Sequence, residues 1–153
     1  DCAALFAYST GELKNINMID VNINAADSNF AAPICGYFGG VMKNCYANGK
    51  VKGIVSGGLV STFYGINGTS ANIIISNCRS DVSVNGDCAG GVTGFFADGQ
   101  IENCIFTGSL YSPDDCTGGI VACVSPHGMI TSYDYLLNNV KIINCVKSIL
   151  AIQ

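Results

Sequence analysis

Nine cysteines, one histidine and a few aspartates are the side chains of this 153-residue chain best suited to chemistry. Cys45, Cys78, Cys104 and Cys145 each follow an asparagine and share one register, which Ile16 fills in the first copy of the pattern. Cysteines repeating in one register read as a buried ladder of small apolar side chains. Directly stacked Cβ atoms lie about one strand spacing apart, slightly beyond the ~3.8 Å that a disulfide prefers. Cys88 and Cys116 share a second register beside Gly pairs, and they are the candidate disulfide. No Cys-x-x-Cys pair and no nearby His supports a metal site, and no cofactor is expected.

His127 stands in Ser125-Pro126-His127-Gly128, where no nucleophile motif frames it, so it reads as a loop histidine. Asp87 falls in register with Asp115, and Asp114 is adjacent, a spacing that would let three carboxylates gather at one turn. Clustered aspartates of this kind serve acid–base work or Ca²⁺ in pectin-cleaving β-helices. A solvated acidic turn is the simpler reading, because only 7 Lys and Arg are present to hold an anionic polysaccharide. Asn67-Gly68-Thr69 matches the N-glycosylation sequon, and Asn-Gly is equally a turn signal.

The elements that must position these residues follow from composition and repetition. With 49% hydrophobic and 12% charged residues, 19 Gly and 3 Pro, the chain is too apolar for disorder and too poor in Lys, Arg and Glu for an ordinary helical domain. A net charge of −4 offers nucleic acid no basic stripe, and no apolar run reaches the ~18 residues of a membrane helix.

An apolar residue, a spacer, Asn and then Cys or another apolar residue recur as Leu13 to Ile16, Met42 to Cys45, Ile75 to Cys78, Ile101 to Cys104 and Ile142 to Cys145. Asn15, Asn44, Asn77, Asn103 and Asn144 thus share a register, expected at a buried corner where stacked amides bond one another and local backbone. Val51, Val84 and Leu110 follow at a fixed distance in three copies, while the first shifts to Val21 and Ile23. A second block begins Gly57-Gly58, Gly90-Gly91 and Gly118-Gly119, with Ala32-Pro33 in the first coil. Within it an apolar residue precedes a small one (Gly36, Ser61, Gly94, Ala122), and Phe30, Val55, Cys88 and Cys116 lie just before it. Short alternating stretches such as Val82-Ser83-Val84, punctuated by Asn48-Gly49, Asn85-Gly86 and Asp98-Gly99, predict strands joined by turns. Variable spacing with constant strand register predicts an all-β fold: one parallel β-solenoid domain of about five coils over 1–153, with insertions at 64–74 and 125–141.

The string Asn44-Cys45-Tyr46-Ala47-Asn48-Gly49-Lys50-Val51-Lys52-Gly53, followed by Gly57-Gly58-Leu59-Val60, resembles the GLUG-type repeat. Such repeats occur in large bacterial surface proteins, including adhesin-like proteins and some immunoglobulin-cleaving peptidases outside their catalytic domains, and in protist surface proteins. The resemblance spans Leu13 to Val146 and departs at Ser61, where the family generally has Gly. It implies a β-solenoid scaffold in an extracellular or cell-surface protein, and it implies no ligand or reaction.

The expected function is a non-catalytic structural or adhesive module, with a carbohydrate-binding or polysaccharide-cleaving β-helix as the alternative. Expected partners are other copies or flanking coils of the same solenoid and a surface protein or glycan, with neither nucleic acid nor membrane insertion. Both insertions are expected to leave at one corner and carry Tyr64, Asn67, Tyr133, Asp134, Tyr135, Asn138 and Asn139, which suit contacts. The stretches Cys2 to Ala7 and Val146 to Ile152 are apolar and lack the polar cap of a terminal coil, so both ends are expected to be covered.

Overall fold

Period-two alternation fixes the longest strands: over Arg79–Asn85, Ser80, Val82 and Val84 are buried while Arg79 and Ser83 are exposed. In the computed structural model, which describes residues 1–25, 29–64, 73–113, 116–124 and 141–147, such strands stack in parallel as a β-solenoid.

Each coil contributes one strand to each of four stacks. The first coil supplies β1 (Cys2–Ala3), β2 (Phe6–Ser9), β3 (Glu12–Lys14) and β4 (Asn17–Asn24). The second supplies β5 (Phe30–Ala31), β6 (Cys35–Phe38), β7 (Val41–Lys43) and β8 (Tyr46–Lys52). In the third come β9 (Val55–Gly57), β10 (Val60–Phe63), β11 (Ile74–Ser76) and β12 (Arg79–Asn85). The fourth has β13 (Cys88–Gly90), β14 (Thr93–Phe96), β15 (Gln100–Glu102), β16 (Ile105–Phe106) and β17 (Leu110–Tyr111), the last two dividing one face. The fifth has β18 (Cys116–Gly118), β19 (Val121–Val124), β20 (Lys141–Ile143) and β21 (Val146–Lys147).

The corner between the third and fourth faces carries the asparagines. Asn15, Asn44, Asn77, Asn103 and Asn144 all have positive φ, from 50° to 56°, the left-handed region that Asn tolerates better than most residues. Their N–H groups continue the ladder across the corner: Asn44 donates to the Ser76 carbonyl at 3.2 Å and Asn77 to Glu102 at 3.2 Å. The Asn44 amide donates to Asn15 Oδ1 at 3.4 Å. The side chains are exposed, so the bend lies on the surface and not at the buried corner expected from sequence, and the left-handed backbone conformation favours Asn there.

The core holds Phe38, Phe63 and Phe96 in an offset stack, with ring centroids 5.8 and 5.2 Å apart. The small residue of the Gly block has a steric cause. A Cβ at Gly94 would stand 2.8 Å from Val55 Cγ1 and 2.7 Å from the Ser56 carbonyl, because the first and second faces approach closely. Ser61 fits in the same register and donates to the Val55 carbonyl at 2.7 Å.

Two local expectations change. Asn48-Gly49 is no turn but lies inside β8, paired with Asp81 and Val82 of β12. Gly49 has φ 122° and abuts Val21, where β4 bulges between Met18 and Val21. That bulge restores register, so Ile23 pairs with Val51 and the shift in the first copy is absorbed locally. The apolar stretch from Cys2 to Ala7 divides into β1 and β2, with the Gly-block corner between them.

Candidate functional site

Cysteines occur in two arrangements with different geometry. The first is the ladder after the corner asparagines. Cys45, Cys78 and Cys104 are buried and Cys145 is half-buried, while Ile16 packs partly buried above them. Each thiol donates to the carbonyl two residues earlier: Cys45 to Lys43 at 3.3 Å, Cys78 to Ser76 at 3.1 Å, Cys104 to Glu102 at 3.3 Å and Cys145 to Ile143 at 3.3 Å. An S–H here therefore helps satisfy the carbonyl that precedes the left-handed Asn, which Ile16 cannot do. Hydrogen bonding with Cys104 and Cys45, together with burial, pushes the Cys78 thiol up, so it stays protonated.

The second arrangement lies where the first and second faces meet. Cys88 and Cys116 are register partners on β13 and β18, in a series that runs through Cys2, Phe30 and Val55. Cys123, on β19, pairs with Phe95 on the adjoining face. The three Sγ atoms all lie within 4.8 Å of one another, and each residue is half-buried. The fold brings these two positions together elsewhere too: Phe30 and Tyr37, the matching pair in the second coil, have ring centroids 4.5 Å apart. Burial, then the neighbouring Cys116 and Cys123 thiols, pushes Cys88 up to about 12. Burial followed by Cys116 likewise raises Cys123. All nine cysteines are free thiols in the structure.

Sequence reading paired Cys88 with Cys116 and missed Cys123, which sits in a register otherwise held by Tyr8, Tyr37, Thr62 and Phe95. The usable signal was spacing: Cys116 and Cys123 flank Gly118-Gly119, the corner that folds one face onto the next.

Other candidates are placed more simply. Asp87 is exposed, and its carbonyl accepts from Ser112 Oγ at 2.7 Å. Tyr64 packs edge-on to Tyr37, with centroids 6.1 Å apart. Asn67, Asp114, Asp115, Ser125, His127, Tyr133, Asp134, Tyr135, Asn138 and Asn139 lie outside the described residues. Both insertions depart from one corner, after β10 and after β19.

One polar cluster on the fourth face was not foreseen. Asp81 accepts two bonds from Arg79, both 2.9 Å, one from Tyr46 Oη at 2.9 Å and another from Thr107. Burial pushes its carboxyl up, but the bonds from Arg79, Thr107 and Tyr46 outweigh this and hold it below the usual range. It ties three adjacent coils together across their outer surface.

Comparison of the chain with protein-family models, curated protein sequences and solved structures finds no match. The resemblance to GLUG-type repeats therefore rests on the residue pattern itself.

Proposed function

We propose that this chain is a non-catalytic structural or adhesive module of an extracellular or cell-surface assembly, whose open coils stack on equivalent coils, those of another copy or of flanking repeats in a longer stalk. The observation that carries this reading is the contrast between inner and outer coils at the same register. Phe6 is 39% exposed where its partner Cys35 is buried, and Ile142 is 46% exposed where Ile101 is buried. Val124 repeats the contrast, at 46% against a buried Phe96.

Among the described residues, all four stacks end in a strand bonded on one side only, at both ends. Such edges combine unpaired backbone groups with apolar side chains, and a further coil in register covers both. Because the two edges differ, the contact is head to tail and does not close on itself. The surface placement is supported by the GLUG-like pattern.

Light scattering over a wide concentration range tests this directly. Mass should rise with concentration, without a plateau at the dimer. A monomer at every concentration would contradict the proposal.

A further inference from the structure

We propose that Cys88, Cys116 and Cys123 form a binding site for one soft d¹⁰ metal ion, Zn²⁺ or Cu⁺, held by three thiolates. The geometry separates this trio from every other cysteine in the described residues. A ladder along one face puts alternate sulfurs two strand spacings apart, about 9.6 Å, so Cys45, Cys78, Cys104 and Cys145 cannot converge on one ion. The trio escapes that limit because Cys123 arrives from the adjoining face while Cys88 and Cys116 stack on the first. All three Sγ atoms fall within 4.8 Å of one another.

Magnitudes favour the metal over a bridge between Cys88 and Cys116. Zn–S bonds of about 2.3 Å place the sulfurs of a trigonal or tetrahedral site roughly 3.8–4.0 Å apart, an adjustment of less than ~1 Å. A disulfide between Cys88 and Cys116 requires sulfurs about 2.05 Å apart and Cβ atoms near 3.8 Å, which in-register neighbours at a spacing of about 4.8 Å reach only by drawing the strands together. It would also leave the third thiol unused.

Thiolate donors select Zn²⁺ and Cu⁺ over Mg²⁺ and Ca²⁺. Binding replaces three thiol protons, which pass to solvent, and involves no redox step. With three protein ligands on Zn²⁺, the fourth position falls to water or an external donor. Because the trio spans the fourth and fifth coils, the ion would clamp β13 to β18 and β19.

Titration of the full chain with Cd²⁺ under anaerobic, reducing conditions tests the site through thiolate-to-metal charge-transfer absorption. One equivalent should bind per chain, and Zn²⁺ should displace it. The absorption should vanish in Cys123→Ala and in Cys116→Ala, each checked for retained β circular dichroism, and persist in Cys145→Ala. No charge-transfer band in the reduced parent chain would overturn the proposal. So would a band of undiminished strength in a folded Cys123→Ala or Cys116→Ala variant.

Discussion

At φ between 50° and 56°, any Cβ is pressed toward the following carbonyl, a strain of about 1–2 kcal/mol that asparagine offsets in part with its short polar side chain and alanine does not. Asn77→Ala should therefore lower stability by only part of that amount, about 1 kcal/mol or less, in urea denaturation. Asn77→Gly should lose less, because glycine enters the left-handed region freely. Equal losses would mean that the side-chain amide, rather than φ, sets the residue type. Asp81 offers a second residue-scale test. Its carboxyl is held below the ordinary value of 3.8, so its contribution is present above that range and disappears as pH falls through its lowered value. The Arg79 side chain is half-exposed, which limits the effect to about 1 kcal/mol or less. The advantage of the parent chain over Asp81→Asn in urea melts should be present at pH 7 and shrink below about pH 4.

At the scale of elements, the corner between the second and third faces shows how little chain a turn needs. Gly39 and Gly40 alone join β6 to β7, whereas residues 64–73 join β10 to β11. Replacing 65–72 with Gly-Gly should leave the β circular dichroism unchanged, and loss of cooperative unfolding would show that the insertion supports the core. Gly94→Ala should act oppositely, destabilising by about 1–3 kcal/mol in denaturant melts, since its Cβ would overlap Val55 and the Ser56 carbonyl.

These elements also show what was legible. The asparagine register, the Gly block and the positions around Phe30, Val55, Cys88 and Cys116 could be read because stacking repeats side-chain types along one face. Contacts between faces leave no such repetition, so Cys123 beside Cys88 and Asp81 beneath Tyr46 escaped notice. Asn48-Gly49 misled because Gly49 answers to the bulge at Val21 in the coil beside it, not to its own sequence neighbours.

At the scale of the molecule, the central claim is that two different open faces meet head to tail. The most direct measurement mixes two variants, Phe6→Asp, which places charge on the first-coil edge, and Ile142→Asp, which places it on the last-coil edge. Either alone retains one usable face and no complement, so each should sediment as a monomer. Their equimolar mixture should form 1:1 dimers and nothing larger, while the parent chain forms open-ended oligomers. Dimers of either variant alone, or a parent chain that stays monomeric at every concentration, would contradict head-to-tail stacking.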